Sequence, residues 1–292
     1  MLIAQITDFH LCAPGALVYE GIDTNGHLRD TVRRLNALSP RPDLVLGTGD
    51  LVDHGTVEEY LHLKEILSAL EIPIYLIVGN HDDRGPFREV FGDQPYLRGV
   101  SGKFLNYAFD AGGVRLIGFD TAVHGVSYGE ACEERVAWLD AELARHPDQP
   151  TIIFMHHPPF ETGIWWMDAS RLRGSHRLAE VVQRHRQIRR IWCGHLHRSI
   201  FSEWAGVLCS ISPSTAHHVS LDMDGTAFME MLMEPRAFHL HKVEADGRVL
   251  THTVNVELPN ERYLPGDRMA GGLDAFRARY QAMYEQMSSG AL

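Results

Sequence analysis

Residues 2–10 read Leu2-Ile3-Ala4-Gln5-Ile6-Thr7-Asp8-Phe9-His10, a short apolar run that ends in a carboxylate and an imidazole two positions apart. An apolar run of this kind reads as a strand buried on both faces, and D-x-H at its end points both polar groups one way if strand geometry continues. The same grammar recurs. Residues 44–48 lead to Gly49-Asp50, residues 74–78 to Gly79-Asn80-His81-Asp82, residues 151–155 to His156-His157, and residues 188–193 to Gly194-His195-Leu196-His197; residues 114–119 form a further run. Between them lie apolar positions at helical spacing: Leu28, Val32, Leu35 and Leu38, then Tyr60, Leu63, Ile66, Leu67 and Leu70, then Val136, Leu139 and Leu143. This alternation predicts a layered α/β fold, in which ligands gather beyond the carboxyl ends of the strands, where all the polar clusters fall.

Each cluster has its own chemistry. Asp8 and His10 are placed to share one cation, although Asp8 alone serves equally to cap the following turn. Gly49 permits a tight turn, and the two oxygens of Asp50 suit a carboxylate that bridges two cations. Asn80 offers a neutral amide oxygen, with His81 beside it for proton transfer; in isolation the tetrapeptide reads as an Asx-turn. His195 and His197 have a recognised metal-ligand spacing, though a structural pair remains open for them alone. Together the clusters supply nitrogen and oxygen donors and no thiolate, a set that points to a metal centre.

The composition narrows the function. With 27 basic against 38 acidic residues the chain carries a formal charge of -11. That balance excludes a general grip on long nucleic acid, which rests on clustered Lys and Arg. Cys12, Cys132, Cys193 and Cys209 show no C-x-x-C pair and read as reduced thiols of a cytoplasmic protein. The first residues lack a basic region and meet Asp8 early, so they are read neither as a signal peptide nor as a membrane span. From about residue 221 the character changes to a Met-rich stretch (Met223, Met229, Met231, Met233), then alternating Phe238, Leu240 and Lys242, then residues 248–256. This reads as a β-hairpin or cap. In residues 273–287, Phe276, Tyr280, Met283 and Met287 share one helical face that docks on its own domain or on a neighbour.

The order D-x-H, G-D, G-N-H-D, H, G-H-x-H, from Asp8 to His197, resembles the calcineurin-like metallophosphoesterase signature. The chain is further similar to class III cyclic-nucleotide phosphodiesterases and bacterial glycerophosphodiesterases. That narrower likeness is carried by Leu35-Asn36-Ala37-Leu38, Glu58-Glu59-Tyr60, Pro73-Ile74-Tyr75-Leu76-Ile77 and Phe154-Met155-His156-His157-Pro158-Pro159, and it fades beyond Ser220. The resemblance implies a four-layer αββα sandwich with a small C-terminal cap or dimerisation element. The expected division is residues 1–220 as catalytic domain, 221–270 as hairpin cap or oligomerisation element and 271–292 as C-terminal helix.

The same resemblance implies two divalent transition-metal ions, drawn from manganese, iron, zinc and cobalt. Asp8, His10 and His197 would hold one, Asn80, His156 and His195 the other, with Asp50 bridging. It implies hydrolysis of small phosphodiesters, either glycerophosphodiesters or 3',5'-cyclic nucleotides, by in-line attack of a metal-bound hydroxide. A homo-oligomer, dimer or higher, is implied as well. His81 is the candidate proton donor to the leaving alkoxide, and His217 a second active-site histidine for which His218 is the substitute. Expected substrate contacts are Asn80, His81, His195, Trp165, Asp168 and His217, with Trp165 and Trp166 as an apolar wall and residues 174–178 nearby. His157 is assigned a supporting or structural role. Asp82 either hydrogen-bonds a ligand imidazole or ends its turn. Rival readings are a phosphomonoesterase or nuclease on the same scaffold, and a non-catalytic scaffold. Cations near the motifs are sparse, Arg84 and Arg198 being the main ones, which ranks diesters first.

Overall fold

All six apolar runs are strands in the computed structural model, which describes residues 1–258 and 272–288. One sheet holds five strands in the order β15 (Val249–Asn255), β14 (Ala237–Val243), β1 (Leu2–Ile6), β2 (Leu44–Thr48) and β3 (Ile74–Ile77). The other holds six: β10 (Ile200–Trp204), β11 (Val207–Ile211), β9 (Ile188–Cys193), β7 (Thr151–Phe154), β5 (Val114–Gly118) and β4 (Tyr107–Ala111). β1, β2 and β3 run parallel to one another, as do β5, β7 and β9. Two short ribbons complete the set, β6 (Gly129–Glu130) with β8 (Leu172–Arg173) and β12 (His218–Val219) with β13 (Met231–Leu232).

The helices form where apolar periodicity meets a capping residue. α1 (Thr24–Asn36) starts at Asp23, whose carboxylate accepts the Gly26 amide, and α2 (Val57–Leu67) starts with a reciprocal Thr56 and Glu59 capping box. With α3 (Arg84–Phe91) they lay Leu28, Val32, Leu35, Tyr60, Leu63 and Phe87 on the five-stranded sheet. α4 (Glu133–Ala144) and α6 (Ser175–Arg184) bury Val136, Leu139, Leu143, Leu178 and Val181 against the six-stranded one. A one-turn helix, α5 (Trp165–Asp168), stands by itself after the His156-His157 loop.

The two sheets face each other through a core that includes Leu116, Phe154, Trp192 and Phe238. Trp192 of β9 stacks on His241 of β14 with ring centroids 3.9 Å apart. Beside it Gln5 spans the gap, its amide donating to the Cys193 carbonyl at 2.8 Å and to Thr48 Oγ1 at 3.1 Å. Layers run helices, sheet, sheet, helices, as the αββα expectation requires.

The expected cap needs correction. Residues 237–255 do form a hairpin, but β14 pairs antiparallel with β1, Leu2 opposite Lys242, so the hairpin extends the five-stranded sheet. One compact unit therefore covers residues 1–257, and the boundary lies well beyond Ser220. The physical reason is burial: Phe238, His239 and His241 have no exposed surface, which a surface cap does not provide. Residues 258–292 form a second unit, in which α7 (Gly272–Ser288) is the helix that the apolar spacing predicts, with Phe276 and Tyr280 stacked 4.6 Å apart. Residues 259–270 of the proposed cap lie outside the described residues. Among the described residues no helix is long and apolar enough to cross a membrane.

A chain ended at Ser220 is expected to lose cooperative folding, because β1 then has a bare edge and Trp192 loses its stacking partner. Circular dichroism melts of the shortened and full chains check this; a sharp transition in the shortened chain would contradict it.

Candidate metal centre and catalytic cleft

The strands stop before the polar groups begin, so strand geometry does not aim them. Asp8, His10, Asp50, His195 and His197 instead have left-handed backbones, with φ of 54°, 43°, 48°, 76° and 57°. Non-glycine residues rarely adopt this region, and such outliers cluster at functional sites. Backbone bonds between loops hold them: the Asp8 amide donates to the Gly49 carbonyl and the His10 amide to the Asp50 carbonyl, both at 3.0 Å. From the other sheet, the His195 amide donates to both oxygens of Asp8 at 3.1 Å. Gly194 is required here: a Cβ there would strike Thr7 Oγ1 and stand 2.9 Å from the Thr48 carbonyl. Gly49, at φ 94°, likewise leaves room for the His156 ring.

The donor atoms fall into two groups. In the first, His10 Nε2 lies 3.2 Å from His197 Nε2 and 3.7 Å from Asp50 Oδ2, and His197 Nε2 lies 3.5 Å from Asp8 Oδ1. In the second, His156 Nε2 lies 3.2 Å from Asn80 Oδ1 and 3.3 Å from Asp50 Oδ2, and the His195 ring packs 5.1 Å from that of His156. Asp50 belongs to both. Donors around one ion at bonds of about 2.1 Å stand roughly 3 to 3.5 Å apart.

The second ring nitrogens fix which atom is free. His197 Nδ1 donates to the His217 carbonyl and His156 Nδ1 to the Thr48 carbonyl, both at 2.8 Å, while His10 Nδ1 meets Asp53 Oδ1 at 3.1 Å. Their Nε2 lone pairs are thus turned inward, a tautomer choice of the kind metal-bound histidines use. His195 Nε2 meets Ser170 Oγ at 3.0 Å, which leaves Nδ1. Two imidazole lone pairs facing each other at 3.2 Å, over two fully buried carboxylates, form a place that calls for a cation. Burial raises the Asp8 carboxyl toward neutral pH, with Asp50 adding to the shift against the pull of His156. Burial would raise Asp50 too, but His156, His81 and His10 hold it well below the usual carboxylate range. Two divalent ions fit this donor set.

Residues 1–199 match the calcineurin-like phosphoesterase family, a span covering more than half of the chain. The protein belongs to that family. A probable glycerophosphodiester phosphodiesterase from Arcobacter nitrofigilis is 35% identical to this phosphoesterase over 254 residues, 87% of this chain and 92% of the relative. A 3',5'-cyclic-nucleotide phosphodiesterase from Nostoc is 34% identical over 255 residues, 87% of this chain and 91% of its own. A dimetal phosphatase from Danio rerio shares the fold, with a TM-score of 0.64 and 15% identity over 88% of this chain and 99% of its own.

Above the donors the phosphoesterase has a cleft of about 490 Å³ lined by His10, Asp50, Asn80, His81, His195, His197 and His217, with Asp8 and His156 buried beneath. Trp165 and Trp166 line it as expected. Asp168 does not: its carboxylate accepts from the Thr162 amide and hydroxyl and from the Gly163 amide, which spends it on the turn before α5. Residues 174–178 open α6 and are absent from the lining, and of the paired histidines it is His217, not His218, that reaches the cleft. His157 packs behind, between Thr121 Oγ1 at 2.8 Å and the Ser127 carbonyl at 3.2 Å.

Asp82 bonds no ligand imidazole but closes its own turn. Its carboxylate accepts from the Leu51 and Gly79 amides and from the Tyr60 hydroxyl, locking the Asp50 loop to the Asn80 loop. Arg84 is spent on Asp120 and Arg198 on Glu234, so neither cation points into the cleft. Sequence reasoning missed Asp53, whose signal was its place three residues after Asp50, and it missed Tyr19, Ser127, Ser170, Phe228, Met229 and Met231 in the lining, which carry no motif.

Metal-reconstituted protein is expected to hold two transition-metal ions per chain, and Asp50→Ala fewer than one, because both groups lose a donor together. Elemental analysis reads this; undiminished metal in the variant would refute the shared position.

Proposed function

We propose that this phosphoesterase is a dinuclear-metal hydrolase of small phosphodiesters, with glycerophosphodiesters and 3',5'-cyclic nucleotides as the candidate substrate classes. The reading rests on one observation: two donor groups sharing Asp50 lie under a cleft into which, among the described residues, no Lys or Arg projects. A phosphodiester carries one negative charge and a monoester up to two, so a site without extra cations suits the diester. A bound pair of divalent ions supplies the acidified water and the positive field that diester hydrolysis needs. Asp8, His10 and His197 are assigned to one ion, Asn80, His156 and His195 to the other, and Asp50 to both. Manganese, iron, zinc and cobalt all suit four imidazoles, two carboxylates and an amide oxygen.

His81 is assigned to give the leaving alkoxide its proton. Its Nδ1 donates to the Asp53 carbonyl at 2.9 Å, which leaves Nε2 for the cleft that the ring lines. Burial opposes charge on this ring, but the Asp50 carboxylate, the Asp53 carbonyl and the Asp53 and Asp82 carboxylates raise its pKa above the ordinary value. His217 differs: burial and nearby His10 bring it down to about 3, so it is neutral and is assigned to substrate contact. Asn80 and His195 border the same space and complete the polar contacts.

A homo-oligomer is part of the reading, supported by Leu221, Met223 and Met233, each more than half exposed. Four thiols without disulfides support a reducing compartment, the cytoplasm.

On metal-loaded protein, kcat/KM for bis(4-nitrophenyl) phosphate is expected to exceed that for 4-nitrophenyl phosphate about tenfold or more; the reverse preference would overturn the diester assignment. His81→Ala is expected to lower kcat about a hundredfold for an alkyl leaving group and less for an aryl one, since a phenolate leaves without a proton. Equal losses for the two would remove His81 from the proton step.

A further inference from the structure

We infer that the cleft recognises a planar aromatic arm of its phosphodiester through Phe228, Trp165 and Trp166. The inference rests on the phosphodiesterase reading and deepens it by naming the chemistry of the alcohol. Outside the donor groups, the cleft wall is dominated by Tyr19, Trp165, Trp166, Phe228, Met229 and Met231. Phe228 stacks on Trp165 at 5.4 Å with the planes 17° apart, and meets Trp166 edge-on at 5.9 Å. Both Phe228 and Trp165 remain more than half exposed, 56% and 52%, so a large aromatic face stands in water at the mouth of a site that must desolvate its substrate.

Two further observations point the same way. The backbone at Tyr19 and Met229 is left-handed, with φ of 48° and 56°, a conformation bulky residues avoid unless the surrounding structure imposes it. Tyr19 packs edge-on against His217 at 5.8 Å, so the wall runs from the His217 side of the donors, while Trp165 and Trp166 stand close in sequence to Ser170, the partner of His195. The wall is therefore continuous with the place where the phosphate must sit. Phe228, Met229 and Met231 lie beyond residues 1–199, the part that matches the family, while Tyr19, Trp165 and Trp166 lie within it, so the wall joins the two parts of the chain. Every planar ring offers a face to such a platform, and stacking of this kind does not depend on a particular pattern of hydrogen bonds. A polyol arm has no such face.

The test is calorimetric titration of the metal-loaded full chain with diphenyl phosphate and with diethyl phosphate, which carry the same charge and differ only in their arms. Released phenol and ethanol are assayed in parallel and the heats corrected for any hydrolysis, so binding is read apart from turnover and this result and the outcome of the diester assay are separable. Diphenyl phosphate is expected to bind about tenfold or more tightly than diethyl phosphate. Phe228→Ala is expected to erase most of that ratio and Phe228→Tyr, which keeps a ring, to retain it within about twofold. Phe228 is exposed, so neither substitution threatens folding. Equal binding of the two diesters, an unchanged ratio in Phe228→Ala, or an equal fall in Phe228→Tyr would overturn the inference. So would tighter binding of glycero-3-phosphocholine than of diphenyl phosphate, since the aromatic wall would then serve as a cage for a quaternary ammonium.

Discussion

Two buried carboxylates, Asp8 and Asp50, must face the same small volume from adjacent strands of one sheet, with imidazoles closing in from the other. Extended backbone cannot do this, because its side chains alternate and diverge. The chain turns left-handed at five of the seven donor positions, and the cost is met by bonds that tie each turn to the next loop. Those bonds reach only if the strands of both sheets end at one level. A layer of buried polar groups between the sheets fixes that level: Gln5 holds Thr48 and Cys193, Ser212 holds the Gln5 carbonyl and Ser214 the Asp8 carbonyl. The sandwich is in this sense built around the alignment of its strand ends.

Charge is handled separately from that scaffold. The chain is acidic overall, yet the acids close to the centre are occupied as hinges and clamps. Asp82 joins two loops, Asp53 orients His10, and Asp120 takes Arg84 out of the cleft. What remains open is a set of imidazoles and two carboxylates, so the sign of the cleft is decided by whatever cation it holds. A mouth walled by aromatic and Met side chains then governs what can approach.

Strands and donor clusters were legible because each is a local signal: a run of Ile, Leu and Val, then residue types that proteins seldom gather without a ligand. Strand alternation suggested only that the neighbours His156 and His157 diverge, and the family resemblance favoured His156; the two rings do part ways, one toward Asn80 and Asp50, the other toward Thr121 and Ser127. Other features were out of reach. The place of the 237–255 hairpin depends on pairing between Leu2 and Lys242, and nothing local in either segment names the other. Asp168 lies at an expected substrate position, but its carboxylate had three nearer hydrogens to accept. Carbonyls of Thr48 and His217, which choose the tautomers of His156 and His197, belong to the backbone and leave no trace in residue type.

Because β1 lies between β2 and β14, and residue 1 itself bonds the Val243 carbonyl, a strand made before both of these partners is among the last to gain all its neighbours. Topologies of such high sequence separation fold slowly. The segment that bears Asp8 and His10 therefore waits, one edge unpaired, until nearly all the described chain has been made. A cation that needs Asp8 and His10 together with the imidazoles of the second sheet would accordingly meet the whole set only late in folding.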